Sequence, residues 1–209
     1  MQLTVFGATG RTGIRLVRQA LDRGHRVIAF VRPPKGITAD DPALTVVEGD
    51  VYTGVGVADA VRDADAVVSV LGQTSGGPDN LLAVAGDNIT TAMHEAGLTR
   101  YVTLVGAGVR EEGETVPLSG RVMGTVLKLL AGEVLADAEA HVERVRSTGF
   151  EWTIVRAPRL SDSEGTGRYR AGDIALGFES IARADVARFI LDTIEDEQHI
   201  QKMPKVGSA

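Results

Sequence analysis

Leu3-Thr4-Val5-Phe6-Gly7-Ala8-Thr9-Gly10-Arg11-Thr12-Gly13 opens the chain, and its reading decides the fold. Four residues rich in β-formers run into glycines at 7, 10 and 13, and an amphipathic segment follows. That is a strand, a tight turn and a helix start. A helix opening on such a turn points unpaired backbone N–H groups, and the positive end of its dipole, at one spot. An anion fits there, and a pyrophosphate fits best. Gly7 lets the chain leave the strand sharply, Gly10 removes the side chain where the pyrophosphate approaches, and Gly13 permits close helix packing. With Thr9, Arg11 and Thr12 between them, these glycines make a candidate diphosphate cradle. A glycine-rich βα turn without a ligand is the alternative; the strand before and the helix after favour binding.

Working outward, strand and helix alternate, which predicts a doubly wound parallel sheet with helices on both faces, a three-layer α/β fold. No linker-like stretch divides the 209 residues, so one domain spanning 1–209 is expected. The first helix covers about 11–23, with Ile14, Val17, Ala20 and Leu21 on one face, and Gly24 stops it. Strands are expected at 26–31, 44–48, 66–71, 101–105 and 152–155, with short ones at 178–182 and 203–206. Helices are expected at 57–62, 80–96, 137–147 and 184–195, the last carrying Val186, Phe189, Ile190 and Ile194 inward. Residues 161–172 read as a polar, glycine-rich loop. Residues 107–135 read as an insertion: a charged loop, then a strongly apolar stretch from Leu118 to Leu135. That stretch is either a helix buried against the domain or a lid over the site.

Net charge is −6, which leaves no basic footprint for nucleic acid and no polybasic face for a membrane. With no cysteine, disulfides, thiolate metal sites and cysteine nucleophiles are excluded, and a reducing cytoplasm is the expected compartment. Met1 leads straight into the first strand, and no apolar run approaches the ~20 residues that span a bilayer. No His/Asp/Glu cluster has metal-ligand spacing, so no metal is expected. No Gly-x-Ser-x-Gly elbow occurs either.

In a fold of this kind, the residue ending the second strand discriminates between the two nicotinamide dinucleotides. A carboxylate there accepts from the ribose 2′-OH, whereas an arginine receives a 2′-phosphate. Here the position holds Arg32, 19 residues beyond Gly13, and no Asp or Glu stands between Arg23 and Asp40. Its planar fork suits a phosphate, with Lys35 and Arg11 adding charge. NADP is therefore expected over NAD; a solvated loop arginine is the alternative. Asp50, ending the third strand beside Val51, is placed near the adenine, or is a surface turn residue. Leu71-Gly72 and Val105-Gly106 end the next two strands and are expected to line the crevice under the ribose and nicotinamide.

With these residues in hand, the chain resembles the atypical short-chain dehydrogenase/reductases of the NAD(P)-binding, NmrA-like and biliverdin reductase B/flavin reductase-like group. The resemblance rests on the glycine motif at 7–13, Val31-Arg32, Gly49-Asp50-Val51, and Asp65-Ala66-Val67-Val68 with Leu71-Gly72. It continues through residues 147–158, including Trp152-Thr153-Ile154-Val155-Arg156-Ala157-Pro158, and Ala184-Asp185-Val186-Ala187. It implies a Rossmann-type domain that binds NADP beside a small open cleft. Members reduce flavins, quinones or tetrapyrroles, or act as redox-sensing regulators. Three departures matter. The family's Tyr-x-x-x-Lys pair is missing from the helix before strand six, which reads Asp137-Ala138-Glu139-Ala140-His141-Val142-Glu143-Arg144. The Ser or Thr that often ends strand five is replaced by Val105-Gly106-Ala107, and a histidine after strand six by Arg159.

Those departures leave His141 and Arg159 as candidates for chemistry. His141 is either a general acid near the cleft or a histidine on an exposed helix face. Arg159 either grips a substrate carboxylate or phosphate or is a surface residue. Arg156 reads as structural or near the nicotinamide. Flavin reduction is the least demanding reaction, because the protein mainly positions two rings. The expected function is NADP-dependent reduction of a small planar acceptor by a monomer or small homo-oligomer. A non-catalytic sensor of the NADP/NADPH ratio is the alternative, and a nucleotide-sugar epimerase or dehydratase is a third.

Overall fold

A computed structural model of the chain describes residues 1–34, 36–37, 41–73, 76–111, 113–114 and 132–209. The elements in chain order are β1 (Gln2–Phe6), α1 (Arg11–Asp22), β2 (Arg26–Val31), β3 (Leu44–Glu48), α2 (Val57–Val61), β4 (Ala66–Ser69), α3 (Leu81–Glu95) and β5 (Arg100–Gly106). After these come α4 (Gly132–Ser147), β6 (Glu151–Ala157), β7 (Arg159–Ser161), β8 (Tyr169–Gly172), β9 (Ser180–Ala182), α5 (Arg183–Glu195) and β10 (Lys205–Ser208). The main sheet runs β3-β2-β1-β4-β5-β6-β10-β8, parallel throughout except that β8 is antiparallel to β10. Strands β7 and β9 pair separately, in parallel. The chain winds outward from β1 to β3, then returns to place β4 on the other side of β1. That reversal creates a crevice at the carboxyl ends of β1 and β4, where ligands of open α/β sheets sit.

Alternation along each strand builds a core on each face of the sheet, because successive side chains point opposite ways. Leu3 and Val5 of β1 join Leu16, Val17 and Ala20 of α1 and Val186, Phe189 and Ile190 of α5. Phe6 faces the other way, with Ile89 and Met93 of α3 and Val142 and Val145 of α4. Strand β4 is buried along its whole length, as a central parallel strand should be.

Several local expectations change. Ile14 is 53% exposed, and α1 buries Thr12, Gly13, Leu16, Val17 and Ala20 instead. At 100° per residue, Gly13, Leu16, Val17 and Ala20 share one face and Ile14 lies off it. Helix α4 is described from Gly132, upstream of the expected 137, and β4 ends at Ser69 rather than at Leu71. The segment 161–172 is not all loop: β7 closes on Ser161, and β8 pairs with the edge strand β10. The expected apolar helix, Leu118 to Leu135, falls mainly on residues 118–131, which lie outside the described residues, as does Lys35. Among the described residues, no helix is long and apolar enough to cross a membrane.

Candidate functional site

The turn between β1 and α1 is built by close backbone approach. Gly7 adopts φ +81°, and a Cβ there would stand 3.0 Å from the carbonyl carbon and oxygen of Val70, just past β4. A Cβ on Gly13 would fall 2.1 Å from the Gly7 carbonyl oxygen and 2.8 Å from Ala8 Cα. The third glycine is thus required by the turn's own backbone, against which the first turn of α1 rests. Gly10 donates its N–H to the Gly7 carbonyl (2.9 Å) and is the N-cap of α1, with no side-chain cap and no acidic residue in the first turn. The amides of Arg11, Thr12 and Gly13 therefore open the helix where it has no internal acceptors. Thr9 is half-buried beside them, Gly10 is exposed and Thr12 is buried.

The other expected cofactor residues fall at the carboxyl ends of neighbouring strands. Arg32 is exposed immediately after β2. Asp50 is half-buried, and its Oδ1 accepts from the Tyr52 amide at 2.8 Å, so this carboxylate braces its own turn. Val51 and Val105 turn into the core, at 8% and 5% exposure. Leu71 is half-buried; Gly72 and Gly106 are exposed. Arg11 does not turn toward Arg32. Its Nη1 meets Asp162 Oδ2 at 2.9 Å, beyond the end of β7.

The histidine on α4 is not on an exposed face. His141 is 2% exposed, and its Nε2 shares a 2.9 Å hydrogen bond with Thr103 Oγ1 of β5. Burial draws its pKa down to about 4, with the Leu82 backbone and the carboxylates of Asp137 and Asp87 opposing. Gly86 of α3 makes room for the ring, since a Cβ there would lie 2.4 Å from His141 Nδ1. Tyr101 stands edge-on to His141 at 6.5 Å, and burial pushes its hydroxyl up to about 12. One turn earlier, Asp137 is 5% exposed and accepts from the amides of Leu82 (2.8 Å) and Ala83 (2.9 Å) and from Gln73 Nε2 (2.8 Å). It caps α3 from a neighbouring helix, while Asn80, the N-cap itself, makes no side-chain capping bond. Asp137 and His141, one turn apart on α4, are therefore both committed to joining that helix to α3 and β5.

Arg156 is structural. It is 3% exposed, donates to the carbonyls of Met203 and Val109, and pairs with Glu114. Lys205 of β10 holds the other oxygen of Glu114. Burial raises the Glu114 carboxyl, but hydrogen bonds from Lys205 and Arg156 outweigh it and bring it down to about 2. Arg159 is exposed at the start of β7. Among the described residues, no group of three or more His, Cys, Asp or Glu could hold a metal ion. A cleft of about 680 Å³ between Val109, Glu111, Glu139, Val142 and Arg146 includes no residue of the glycine turn.

Asp137 and the Glu114 pair were not singled out by the sequence. A lone Asp on an amphipathic helix, and a Glu in a charged loop, carry no local pattern that reveals partners 55 and 42 residues away.

A doubly wound sheet, an uncapped helix on a glycine turn and a crevice beside it define a Rossmann-type nucleotide-binding architecture. The NAD(P)H-binding family model matches residues 7–197, and the chain belongs to that family. It is 29% identical over 212 residues to the uncharacterized protein YwnB of Bacillus subtilis, covering 95% of this chain and 94% of that one. A candidate NADH-flavin reductase of Streptococcus pneumoniae superposes with a TM-score of 0.81 at 24% identity, covering 100% of both chains. A short-chain dehydrogenase/reductase of Veillonella parvula, solved with NADP, gives 0.80 at 19% identity, covering 99% of this chain and 94% of that one.

Proposed function

We propose that the protein is an NADP-dependent oxidoreductase reducing a flavin, quinone or similar planar acceptor. The carrying observation is the first βα unit: an uncapped α1 on a glycine cradle, with an exposed arginine after β2 where NAD would want a carboxylate. The residues present fit the group. Side chains are missing where they would fill the cradle, and no acidic residue stands in the first turn of α1.

In this reading, the amides of residues 11–13, with Thr9 and Thr12, hold the diphosphate, while Arg32 and Lys35 receive the 2′-phosphate. Asp50 keeps one oxygen on its turn and offers the other toward the adenine beside Val51. Leu71, Gly72, Val105 and Gly106 line the crevice, and Arg159 orients an acidic group of the acceptor. Bound there, the dinucleotide supplies a hydride. The chain itself supplies position, because a reduced flavin or quinone ring takes its proton from water. That division of labour suits an α4 whose Asp137 and His141 are occupied elsewhere, and the flavin reductase assignment of the streptococcal relative supports it. Stopped-flow mixing with NADPH and FMN, riboflavin or a quinone tests it, the expected result being acceptor-dependent loss of NADPH absorbance. Tight NADPH binding with no oxidation by any of these acceptors would overturn it.

The same commitment of Asp137 and His141 also favours a second reading, a sensor that reports the NADP/NADPH ratio to a partner. It requires unequal affinities, because a ligand pair without differential affinity carries no signal. Equal dissociation constants for NADP and NADPH by calorimetry would remove it.

A further inference from the structure

Arg11 and Arg183 are the first residues of α1 and α5, helices that lie side by side on one face of the sheet, with Gln19 Nε2 donating to the Ala184 carbonyl at 2.9 Å. Both helices begin near Asp162, on the loop after β7. Asp162 Oδ2 stands 2.9 Å from Arg11 Nη1, and its Oδ1 stands 3.5 Å from Arg15 Nη2 and 3.0 Å from Arg183 Nη1. Three guanidinium groups converge on one carboxylate. They are unevenly covered: Arg11 is 71% exposed, while the Arg183 side chain is nine-tenths buried. Despite its 3.0 Å approach to Asp162, Arg183 Nη1 completes no hydrogen bond among the described residues. A buried guanidinium with an unused donor is costly unless a further acceptor meets it. Planar forks suit phosphate as well as carboxylate, and a phosphate group offers three converging guanidinium groups more acceptor oxygens than the two of a carboxylate.

We propose that Arg11, Arg15 and Arg183 form a phosphoryl-binding subsite in which Asp162 is the internal occupant, displaced when a phosphate arrives. The inference rests on the dinucleotide reading of the glycine turn, since Arg11 belongs to both. The phosphate comes either from the cofactor's diphosphate or from a phosphate monoester on the acceptor, and one experiment separates the two. Kd values for NADPH, FMN and riboflavin are measured by calorimetry at fixed ionic strength for the wild type, Asp162→Asn and Arg183→Gln, with melting curves to verify folding.

Removing the competing carboxylate should tighten a phosphate-bearing ligand about 2- to 5-fold in Asp162→Asn, the range expected for the loss of a partly exposed ion pair. Arg183→Gln should weaken the same ligand. A gain confined to NADPH assigns the subsite to the cofactor, and a gain for FMN but not for riboflavin assigns it to the acceptor. Unchanged affinities in Asp162→Asn, or equal gains for riboflavin and FMN, overturn the subsite while leaving wild-type NADPH binding, and hence the reading of the turn, intact. A wild-type chain that binds no NADPH removes the reading of the turn and the cofactor source together, and the FMN–riboflavin comparison then decides the subsite. Should Asp162→Asn fail to fold, Arg183→Lys, which keeps the charge and loses the fork, must weaken the ligand or the subsite falls.

Discussion

In the proposed function, Arg32 is the residue on which cofactor choice turns. It is exposed immediately after β2, and among the described residues it takes part in no ion pair. A pair of charge-assisted hydrogen bonds to a phosphate contributes about 1.5–3 kcal/mol, roughly 10- to 100-fold in affinity. Arg32→Ala should therefore raise the Kd for NADPH by that factor and leave the Kd for NADH nearly unchanged, read by titrating cofactor fluorescence. Equal losses for both cofactors would mean that the arginine does not contact the 2′-phosphate.

At the scale of elements, α4 shows both what was legible and what was not. Periodicity and punctuation place β1, β2, β3, α3 and α5 within a residue or so, because glycines and long apolar patterns are local signals. The glycine turn was readable for the same reason. Strand β8 was not: four half-buried or exposed residues become a strand only by pairing with β10, more than 30 residues onward. The sequence leaves His141 as either a general acid near the cleft or a histidine on an exposed helix face; it is buried instead, and that burial depends on Gly86 of α3 leaving space. Asp137 was equally silent, since a cap donated from another helix has no sequence spacing. Its deletion is informative. Asp137→Ala strands the amides of Leu82 and Ala83 at the start of α3, and each buried unsatisfied group costs about 1–3 kcal/mol. For two such amides in a chain of this size that corresponds to a Tm lower by roughly 4–24 °C, with Asp137→Asn falling between. An unchanged melting temperature in Asp137→Ala would show that α3 is capped by other means.

Across the whole molecule, the buried His141 and the half-buried Glu114 set how stability responds to acid, in adjoining windows. His141 has a folded pKa of about 4 against an ordinary 6.5, so the unfolded chain binds its proton first. Stability is complete above 6.5, falls as pH drops toward 4, and the dependence ends once the folded histidine also protonates. The span corresponds to on the order of 3 kcal/mol. The half-buried His199 is shifted the same way, by burial and by Arg100, and adds to the slope. Glu114 acts below that range. Held at about 2 against an ordinary 4.5 by Lys205 and Arg156, it stabilises fully above 4.5, and its contribution is lost as pH falls through 2. Its pairing ties the segment after β5 to β6 and β10, so its protonation loosens the carboxyl end of the sheet beside the crevice. Urea midpoints measured from pH 7 to pH 2.5 should decline in two stages. His141→Gln should flatten the upper stage and spare the lower; Glu114→Gln should do the reverse, each from a lower starting stability. A wild-type slope between pH 6.5 and 4 that survives His141→Gln would place the proton uptake elsewhere and dissolve the link between α4 packing and acid sensitivity.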